Sequence, residues 1–435
     1  MSDKQYKTST QVEAWFLTSE FEGQRAGSFR QERWCKIFSA LQCPVRVFNI
    51  QGARHVLEKT FDSPEQVDEF RKAVMNGSEG RASVREGRLV NVLRVIKHTF
   101  FIDLYLPNVI AVYRRCAQLL REREGRVVIM ASSPPFSMAV VGALLKRRFP
   151  EKVTLSVDMR DAWAMHISLG GNRTIRRCIE GRALRRADAV TTVSYGLTDE
   201  FEEAYGIKVD TLFNVATHYF EVKQKSEIDW RALNPAIDPG RLKVVYTGST
   251  PIGFYDLASL TRGIKQLRER DPSAADRVQC IFVGACAEVE SAWQAQGGSD
   301  NDVVFVPHVN HNMARAIQQN ADALMFLAYF GPGNKGVVST KIFEYMALGK
   351  PILPISLHEN SDVDRLLLTY CGRSSRLHTA DDIEAALRQM TVQGAEAVLP
   401  RMDDPERVRP LLDGYRDLSR RLIDGERRAA HMPQA

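Results

Sequence analysis

Short apolar runs alternate with amphipathic stretches along the first half of the chain. The runs are rich in Val, Ile, Leu and Phe and predict buried strands at 14–18, 45–50, 126–130, 152–158 and 189–193. Between them, residues 29–41 and a segment from Phe136 to Arg148 have the spacing of helices. Strands that alternate with helices predict a parallel sheet that is covered on both faces.

The second half repeats this pattern. Apolar runs predict five further strands at 242–248, 278–284, 302–306, 323–327 and 351–355. The polar segment between the halves contains Asn234-Pro235 and Asp238-Pro239-Gly240, which is typical of a linker. We therefore expect an α/β protein with two doubly wound, Rossmann-like domains at 1–220 and 241–411, joined by a linker at 221–240. Residues 405–428 predict a charged terminal helix.

Length and composition agree with this division. The chain has 435 residues, enough for two cores, and its 44% hydrophobic and 26% charged residues are ordinary for a soluble protein. The N-terminus lacks the apolar segment of a secretory signal, and no apolar run is long enough to span a membrane. The seven cysteines form no C-x-x-C pair and indicate free thiols in a reducing compartment. We expect a cytoplasmic protein.

The net charge of +6 is unevenly distributed. Residues 81–126 hold ten Lys or Arg against four Asp or Glu. Within them, 89–101 mixes apolar and basic residues, which fits either a helix against an anionic membrane or acidic acceptor, or a core helix with a solvated edge. A second basic cluster lies at 173–186 and has no interleaved aromatic residues, so nucleic-acid binding is not expected.

The most informative segment is 339–351, which precedes the apolar run 352–355. Ser339 or Thr340 can cap a helix N-terminus, and Gly349 can end that helix. Free backbone N–H groups at the start of such a helix suit a phosphate, and Glu344 could accept hydrogen bonds from ribose hydroxyls. An ordinary amphipathic helix of an α/β protein remains the alternative.

This segment resembles the C-terminal signature of retaining glycosyltransferases with the GT-B fold, the group 1 or family 4-like type. Members often carry Lys-x-x-Glu-Tyr/Ala-x-Ala-x-Gly-Lys/Cys-Pro-Ile/Val, and the glutamate holds the ribose of a nucleotide sugar. The resemblance extends over most of the chain. It implies two Rossmann-like domains that face a cleft, with the donor on the second domain and the acceptor on the first. It also implies that a terminal helix at 412–435 packs back on the first domain.

The resemblance also implies donor-binding residues. They stand in the loop after the strand at 242–248, at the end of the strand at 302–306, in the glycine loop 330–338 and at the start of the signature helix. The candidates are Gly248, Ser249, His308, Asn334, Lys335, Gly336, Val337, Ser339, Thr340 and Glu344, with Lys341 near the reacting phosphate. The sequence departs from the family at two points. The usual Arg and Lys of the first loop are absent, and Gly336 stands where many relatives have a first glutamate.

In the first half, 158–163 resembles the family segment Asp-x-Arg-Asp-x-Trp. The resemblance implies catalytic roles for Arg160, near the leaving diphosphate, and for Asp161, at sugar or acceptor hydroxyls. Trp163 and His166 are then acceptor-side candidates, and a structural Arg–Asp pair is the alternative reading.

Two further segments offer weaker candidates. Ser133 and Pro134 lie in the segment 132–137, which fits an acceptor wall or a structural turn. The loop 18–30 offers Gly23, Gly27 and Arg30 as donor-binding candidates, because relatives have a similar glycine-bearing loop near the sugar diphosphate; a plain loop is an equal alternative there.

Together these features predict a transferase that moves a sugar from a nucleotide-diphosphate sugar to a saccharide or lipid-linked acceptor. Retention, the absence of a metal and the absence of a cofactor are expected from the resemblance. Bacterial surface polysaccharide or glycoconjugate assembly, with peripheral contact to the inner face of an anionic membrane, is the expected setting. The alternative is a relative that does not transfer sugar, such as a nucleotide-sugar epimerase or an inactive binding partner.

Overall fold

The chain divides into two compact units in the computed structural model. The first comprises Met1–Asn214 and Leu411–Ala435, and the second comprises Val215–Pro410. The structure describes residues 12–19, 21, 26–51, 55–76, 106–164, 172–215, 227–251, 253–329, 336, 338–404, 407 and 409–426.

The first unit is built on a seven-stranded sheet in the order β3-β2-β1-β4-β5-β6-β7. Its strands are β1 (Glu13–Thr18), β2 (Val45–Gln51), β3 (His55–Phe61), β4 (Val127–Ser133), β5 (Val153–Met159), β6 (Ala189–Thr192) and β7 (Asp210–Thr211). All neighbours pair in parallel except β3, which is antiparallel to β2. Its helices are α1 (Ala26–Ala40), α2 (Pro64–Asn76), α3 (Leu106–Glu122), α4 (Ser137–Arg148), α5 (Arg173–Leu184), α6 (Tyr195–Tyr205) and the terminal α16 (Pro410–Asp424).

Helices cover both faces of this sheet because successive strand residues point to opposite sides. Trp15 and Leu17 belong to a core with α3, α4, α5 and α6, whereas Ala14 and Phe16 belong to a core with α1, α2 and α16. The strands β1, β4 and β5 are buried along their whole length. Burial on both faces explains why these strands are continuous apolar runs in the sequence.

The second unit contains a five-stranded, fully parallel sheet in the order β10-β9-β8-β11-β12. Its strands are β8 (Leu242–Thr247), β9 (Val278–Val283), β10 (Val303–Val306), β11 (Ala323–Leu327) and β12 (Ile352–Ile355). Its helices are α7 (Trp230–Leu233), α8 (Leu257–Arg270), α9 (Pro272–Ala275), α10 (Ala287–Ala295), α11 (His311–Asn320), α12 (Lys341–Ala347), α13 (Asp362–Cys371), α14 (Ala380–Gln393) and α15 (Ala395–Val398).

The predicted fold class is confirmed: both units are Rossmann-like, with a mainly parallel sheet and connecting helices. Two strands were not predicted, β3 and the two-residue β7. β3 lies at the edge of its sheet, and its sequence includes the charged residues Glu58 and Lys59. Arg46 of β2 pairs with Glu58 at 2.6 Å, so polar residues stabilise this edge instead of an apolar run.

The segment before β8 packs on the second unit. Trp230 is 9% exposed, Asn234 Nδ2 donates to the Phe305 carbonyl at 3.1 Å, and the Asp238 amide donates to Gln279 Oε1 at 3.1 Å. The later half of the segment predicted as a linker, 221–240, is therefore part of this unit, and 221–226 lies outside the described residues.

The terminal helix α16 packs within the first unit. Its residues Tyr415, Leu418 and Leu422 are buried beside Trp34 and Phe38 of α1. Among the described residues, no helix is long and apolar enough to cross a membrane. The basic segment predicted at 89–101 lies outside the described residues.

Candidate functional site

The strand order of the second sheet reverses between β8 and β11. From β8 the chain moves outward to β9 and β10, and it then returns to the other side of β8 as β11 and β12. Open α/β sheets bind ligands beyond the carboxyl ends of the two strands at such a reversal. Here those ends are Thr247, followed by Gly248 and Ser249, and Leu327, whose loop leads to α12.

Gly248 brings the backbone after β8 very close to Lys341 of α12. A Cβ at position 248 would lie 2.8 Å from both Cε and Nζ of Lys341, and the φ angle of 147° is one that favours glycine. The backbone at Gly284, after β9, also approaches this loop closely, since a Cβ at Gly284 would lie 2.2 Å from the Gly248 carbonyl oxygen. Tyr246 OH also donates to the Ser249 carbonyl at 2.8 Å. The loop therefore holds an ammonium group close to half-buried backbone at the carboxyl end of the sheet.

The helix α12 exposes two charged residues on one side. Ile342, Phe343, Tyr345, Met346 and Ala347 are buried, whereas Lys341 and Glu344 are half-buried. These two are separated by three positions, so they share a face of the helix. The apolar positions anchor the helix, and the two charged side chains remain available to a ligand.

The start of α12 differs in detail from the predicted cap. Thr340 occupies the cap position with helical φ and ψ angles of −58° and −22°, and its side chain makes no capping hydrogen bond. Ser339 Oγ accepts a long hydrogen bond, 3.4 Å, from the Lys341 amide. The helix has seven residues and is followed by Gly349 with φ 60°, the glycine that the sequence placed at its end.

Two basic residues of α11 add to this site and were not predicted. Burial lowers the pKa of His311, the charge of Glu344 opposes this shift, and the charges of Arg315 and Lys341 add to it. The lowered pKa favours the uncharged form of His311, and both charged residues of α12 lie close enough to act on it. His311 and Arg315 are four positions apart on the helix that follows β10, and this spacing is the signal that could have identified them.

Of the other donor candidates, the structure describes His308 and Gly336. His308 is exposed in the loop between β10 and α11. Gly336 is buried with φ 85°, a left-handed conformation that suits glycine and would strain a glutamate. The candidates Asn334, Lys335 and Val337 lie outside the described residues.

In the first unit, the structure brings together Arg160, Ser133 and Pro134. The Arg160 amide donates to the Ser133 carbonyl at 3.0 Å, and its Nη2 donates to the Pro134 carbonyl at 2.9 Å. They lie at the carboxyl ends of β4 and β5, beside the β1–β4 reversal of the first sheet. Asp161 follows Arg160 and is exposed. This edge therefore presents a guanidinium and a carboxylate at a position where α/β sheets bind ligands.

Trp163 is a packing residue, which corrects the acceptor-side role predicted for it. It is 8% exposed and stacks on Phe136 with ring centroids 4.4 Å apart and planes 6° apart. The amide of the next residue, Ala164, donates to Glu180 Oε1 at 3.2 Å, and this bond attaches the turn after β5 to α5. The stacked ring has little surface left for a ligand. His166 lies outside the described residues.

Arg30 is also corrected, because it is fully buried in an ion pair and not available to a diphosphate. Its Nε and Nη2 donate to the Asp158 carboxylate at 2.9 and 2.6 Å, and Thr191 Oγ1 donates to the same group at 2.6 Å. Burial alone would raise the pKa of Asp158, but the charge and hydrogen bonds of Arg30 outweigh this and lower it. Asp158 of the segment 158–163 is therefore paired with Arg30 of α1, a residue outside that segment.

The same network holds the end of the first unit's main segment. Arg30 Nη1 donates to the Leu212 carbonyl at 2.6 Å, and Tyr415 OH donates to the Phe213 carbonyl at 2.8 Å. Both acceptors lie directly before Asn214, where the chain leaves the first unit. Of the glycine candidates in the preceding loop, Gly27 is the second residue of α1, and Gly23 lies outside the described residues.

Within the described residues, no three His, Cys, Asp or Glu side chains are grouped so that they could hold a metal ion. No protein-family model and no curated protein matches this chain.

Solved structures match its fold. The N-terminal domain of Candida albicans trehalose-6-phosphate phosphatase has a TM-score of 0.55 at 12% identity, with 96% of this chain and 94% of that chain covered. A UDP-forming α,α-trehalose-phosphate synthase from Burkholderia vietnamiensis has a TM-score of 0.53 at 10% identity, with coverage of 95% and 100%. A putative UDP-N-acetylglucosamine 2-epimerase from Listeria monocytogenes has a TM-score of 0.50 at 8% identity, with 95% of each chain covered. At these identities the similarity shows the fold alone, and that fold is GT-B.

Proposed function

We propose that this protein is a glycosyltransferase that moves a sugar from a nucleotide-diphosphate sugar to an acceptor hydroxyl. The observation that carries the proposal is the close approach of the Lys341 side chain to Gly248. If residue 248 had a Cβ atom, that atom would lie only 2.8 Å from Nζ of Lys341. An ammonium group at the reversal of a parallel sheet is suited to a diphosphate. Glu344, on the same side of α12, is suited to accept two ribose hydroxyl hydrogens.

The proposed donor is further supported by the fold and the signature sequence. Two of the similar structures are named for UDP chemistry, one as a UDP-forming synthase and one as an epimerase of a UDP-sugar. UDP and its sugar conjugates are therefore the first ligands to test, followed by the other nucleoside diphosphates.

The proposed mechanism is stabilisation of the departing diphosphate. Negative charge grows on the leaving phosphate as the glycosidic bond breaks, and the fixed ammonium of Lys341 offsets it without reorganisation. In the first unit, Arg160 and Asp161 are proposed to act on the reacting groups, beside an acceptor wall of Ser133 and Pro134. Retention and independence from metal ions belong to the same proposal. They are tested by the anomeric configuration of the product in NMR and by activity in excess EDTA.

The donor site is tested by calorimetry with UDP on folded variants. We expect Lys341→Met and Glu344→Gln each to weaken binding by roughly 10- to 100-fold, because each removes a charge-assisted contact. The matched controls are Lys265→Met and Glu269→Gln. In the unaltered protein, Lys265 and Glu269 form an ion pair of 3.9 Å on α8. The two control variants should bind UDP as the unaltered protein does. Equal affinity in the α12 and α8 variants would refute the assignment, provided that the unaltered protein binds a nucleoside diphosphate.

A second candidate is a GT-B protein that epimerises a nucleotide sugar without transferring it. It is favoured by Gly336, whose left-handed φ of 85° excludes an unstrained glutamate at a position where many glycosyltransferases grip the donor sugar. Release of nucleoside diphosphate only when donor and acceptor are both present supports transfer. Interconversion of the donor's sugar without any acceptor would support the epimerase instead.

The proposal also covers the pathway in which the protein acts. We propose assembly of a surface polysaccharide or glycoconjugate, with a saccharide or lipid-linked acceptor. Turnover assays with lipid-linked and free saccharide acceptors test this point separately from donor binding.

A further inference from the structure

One face of the first unit concentrates exposed arginines. The helices α3, α4 and α5 pack side by side over the same face of the sheet. On α5 and the two residues that follow it, Arg173, Arg177, Arg182, Arg185 and Arg186 are exposed. The only carboxylate of that segment, Glu180, is 0% exposed and accepts a hydrogen bond from the Ala164 amide. The outer side of α5 therefore carries positive charge with no acidic residue.

The neighbouring helices extend this surface. Arg147 and Arg148 are exposed in the last turn of α4. On α3, Arg114, Arg115 and Arg121 are exposed together with one carboxylate, Glu122. We call the exposed residues of α3, α4, α5 and Arg185–Arg186 the arginine face.

Aliphatic side chains project from the same helices. Ile110 on α3 is 49% exposed, Leu144 on α4 is 44% exposed and Ile175 on α5 is 58% exposed. They are three of the four large hydrophobic side chains exposed in the described part of the first unit; the fourth is Tyr195. Each helix of the arginine face thus presents one aliphatic residue among its cations.

The opposite face of the same sheet has a different charge balance. Among the side chains of α2 and α16 that the structure describes, the exposed acidic residues Glu65, Glu69, Asp413, Asp417 and Asp424 outnumber the exposed basic residues Lys72, Arg416 and Arg420. The positive charge is therefore a property of one face and not of the unit as a whole.

We propose that the arginine face binds an anionic membrane surface, with its arginines at lipid phosphates and Ile110, Leu144 and Ile175 entering the head-group layer. Basic residues near an anionic leaflet and aliphatic residues at its boundary contribute separately to peripheral binding. A nucleic acid fits this face less well, because single strands stack on aromatic side chains and the exposed apolar residues here are aliphatic. This proposal gives the expected membrane contact a location, and it does not depend on the donor site.

The experiment is flotation of the full chain with two kinds of vesicle, pure phosphatidylcholine and phosphatidylcholine mixed with phosphatidylglycerol. The charge variant is Arg173→Glu/Arg182→Glu/Arg186→Glu. The matched control is Lys72→Glu/Arg262→Glu/Arg365→Glu, which changes the net charge by the same amount at exposed sites outside the arginine face. The third variant is Ile110→Ser/Leu144→Ser/Ile175→Ser, which keeps every charge. Circular dichroism verifies that all three are folded.

We expect the unaltered protein to float with the anionic vesicles and not with the neutral ones. The charge variant should lose at least tenfold in partitioning, the matched control should keep it, and the serine variant should lose severalfold at physiological salt. Equal binding to both vesicles, or equal loss in the charge variant and its control, would overturn the proposal. So would an unaffected serine variant that a single-stranded oligonucleotide displaces from the vesicles, since that result identifies a polyanion site.

Discussion

Residue 248 is the position at which a single added methyl group tests the donor site. A Cβ there would lie 2.8 Å from Cε and Nζ of Lys341, so the ammonium group would have to move from its place beside the backbone. We expect Gly248→Ala to weaken binding of the nucleoside diphosphate by about tenfold, because a displaced charge loses a contact of roughly 1.4 kcal/mol. Calorimetry on the folded variant measures this change.

Gly253 provides the matched control for that substitution. It also has a positive φ, 75°, but an added Cβ would meet no atom within 4 Å. Gly253→Ala therefore introduces backbone strain in the same loop without moving Lys341. A similar loss of affinity in both variants would show that strain in the loop, and not the position of the ammonium group, controls binding.

The buried carboxylate of Asp158 gives a second prediction at this scale. Asp158→Asn would leave the guanidinium of Arg30 buried without its counter-charge, and we expect a loss of roughly 3–5 kcal/mol in the free energy of unfolding of the first unit. Urea unfolding followed by tryptophan fluorescence measures this loss, since the ring centroids of Trp34 and Tyr415 are 4.6 Å apart and Tyr415 belongs to the same network. The control is Asp161→Asn at an exposed position, which should change stability by less than about 1 kcal/mol.

These residues also show how far single positions can be interpreted from sequence. Lys341 and Glu344 stand out because the other residues of α12 are Ile, Phe, Tyr, Met and Ala, so the pattern itself separates the two charged positions from the packed side of the helix. Arg30 gives no such signal, because its partner Asp158 is 128 positions away and a lone arginine on a helix is usually solvated. Local spacing reveals exposed charges, whereas buried pairs depend on the tertiary fold.

At the scale of elements, burial decides what the sequence reveals. The strands β1, β4, β5 and β9 are fully buried and appear as continuous apolar runs. The bounds predicted for β1, β5 and β9 agree with the structure to within one residue, whereas β4 extends three residues beyond its predicted end, into Ser132 and Ser133. β3 lies at a sheet edge, carries Glu58 and Lys59, and was missed. The short connection between β2 and β3 is the hairpin signal that could have indicated it.

Glu180 links α5 to the turn after β5 and makes that contact sensitive to pH. Burial raises the pKa of Glu180 from 4.5 to about 7, and the hydrogen bond from Tyr205 only partly opposes this shift. Since the folded state binds the proton more tightly than the unfolded state, stability is fully present below pH 4.5 and is lost as the pH rises through about 7. We expect this group to account for up to about 3 kcal/mol of loss across that window.

The test compares Glu180→Gln with the unaltered protein in urea between pH 5 and pH 8. Glutamine keeps an acceptor for the Ala164 amide but does not ionise. The difference in free energy of unfolding should therefore shift in favour of the variant as the pH rises. A difference that stays constant over this range would show that Glu180 does not titrate in it.

At the scale of the whole molecule, the two units differ in how the chain builds them. The second unit uses one continuous segment, Val215–Pro410, and has its own core from β8 to α15. The first unit needs two segments, because α16 returns to it after the second unit is complete. The sequence indicated two domains through its repeated strand and helix pattern. The exact boundary was not readable, because the segment before β8 is polar in composition although Trp230 and Ile237 are buried.

This difference predicts unequal behaviour of the separated segments. The fragment 215–410 contains Gly248, His311, Lys341 and Glu344 together with its own sheet, so we expect it to fold and to bind the nucleoside diphosphate within about threefold of the full chain. Circular dichroism and calorimetry measure both properties. Fragment 1–214 lacks α16 and with it Tyr415, Leu418 and Leu422, whose burial contributes roughly 5–9 kcal/mol in total. That is comparable to the whole stability of a domain, so we expect this fragment to be unfolded.

Restoring α16 should restore the first unit. Because Tyr415 OH donates to the Phe213 carbonyl at 2.8 Å, the two ends of the first unit's segments lie close together, and a short Gly/Ser linker from residue 214 to residue 411 can join them. We expect the joined chain to unfold cooperatively and its Tyr415→Ala variant to be markedly less stable. If 1–214 folded alone with a stability equal to that of the joined chain, α16 would contribute nothing to the unit. If fragment 215–410 folded but bound no nucleotide that the full chain binds, residues outside the second unit would have to complete the donor site.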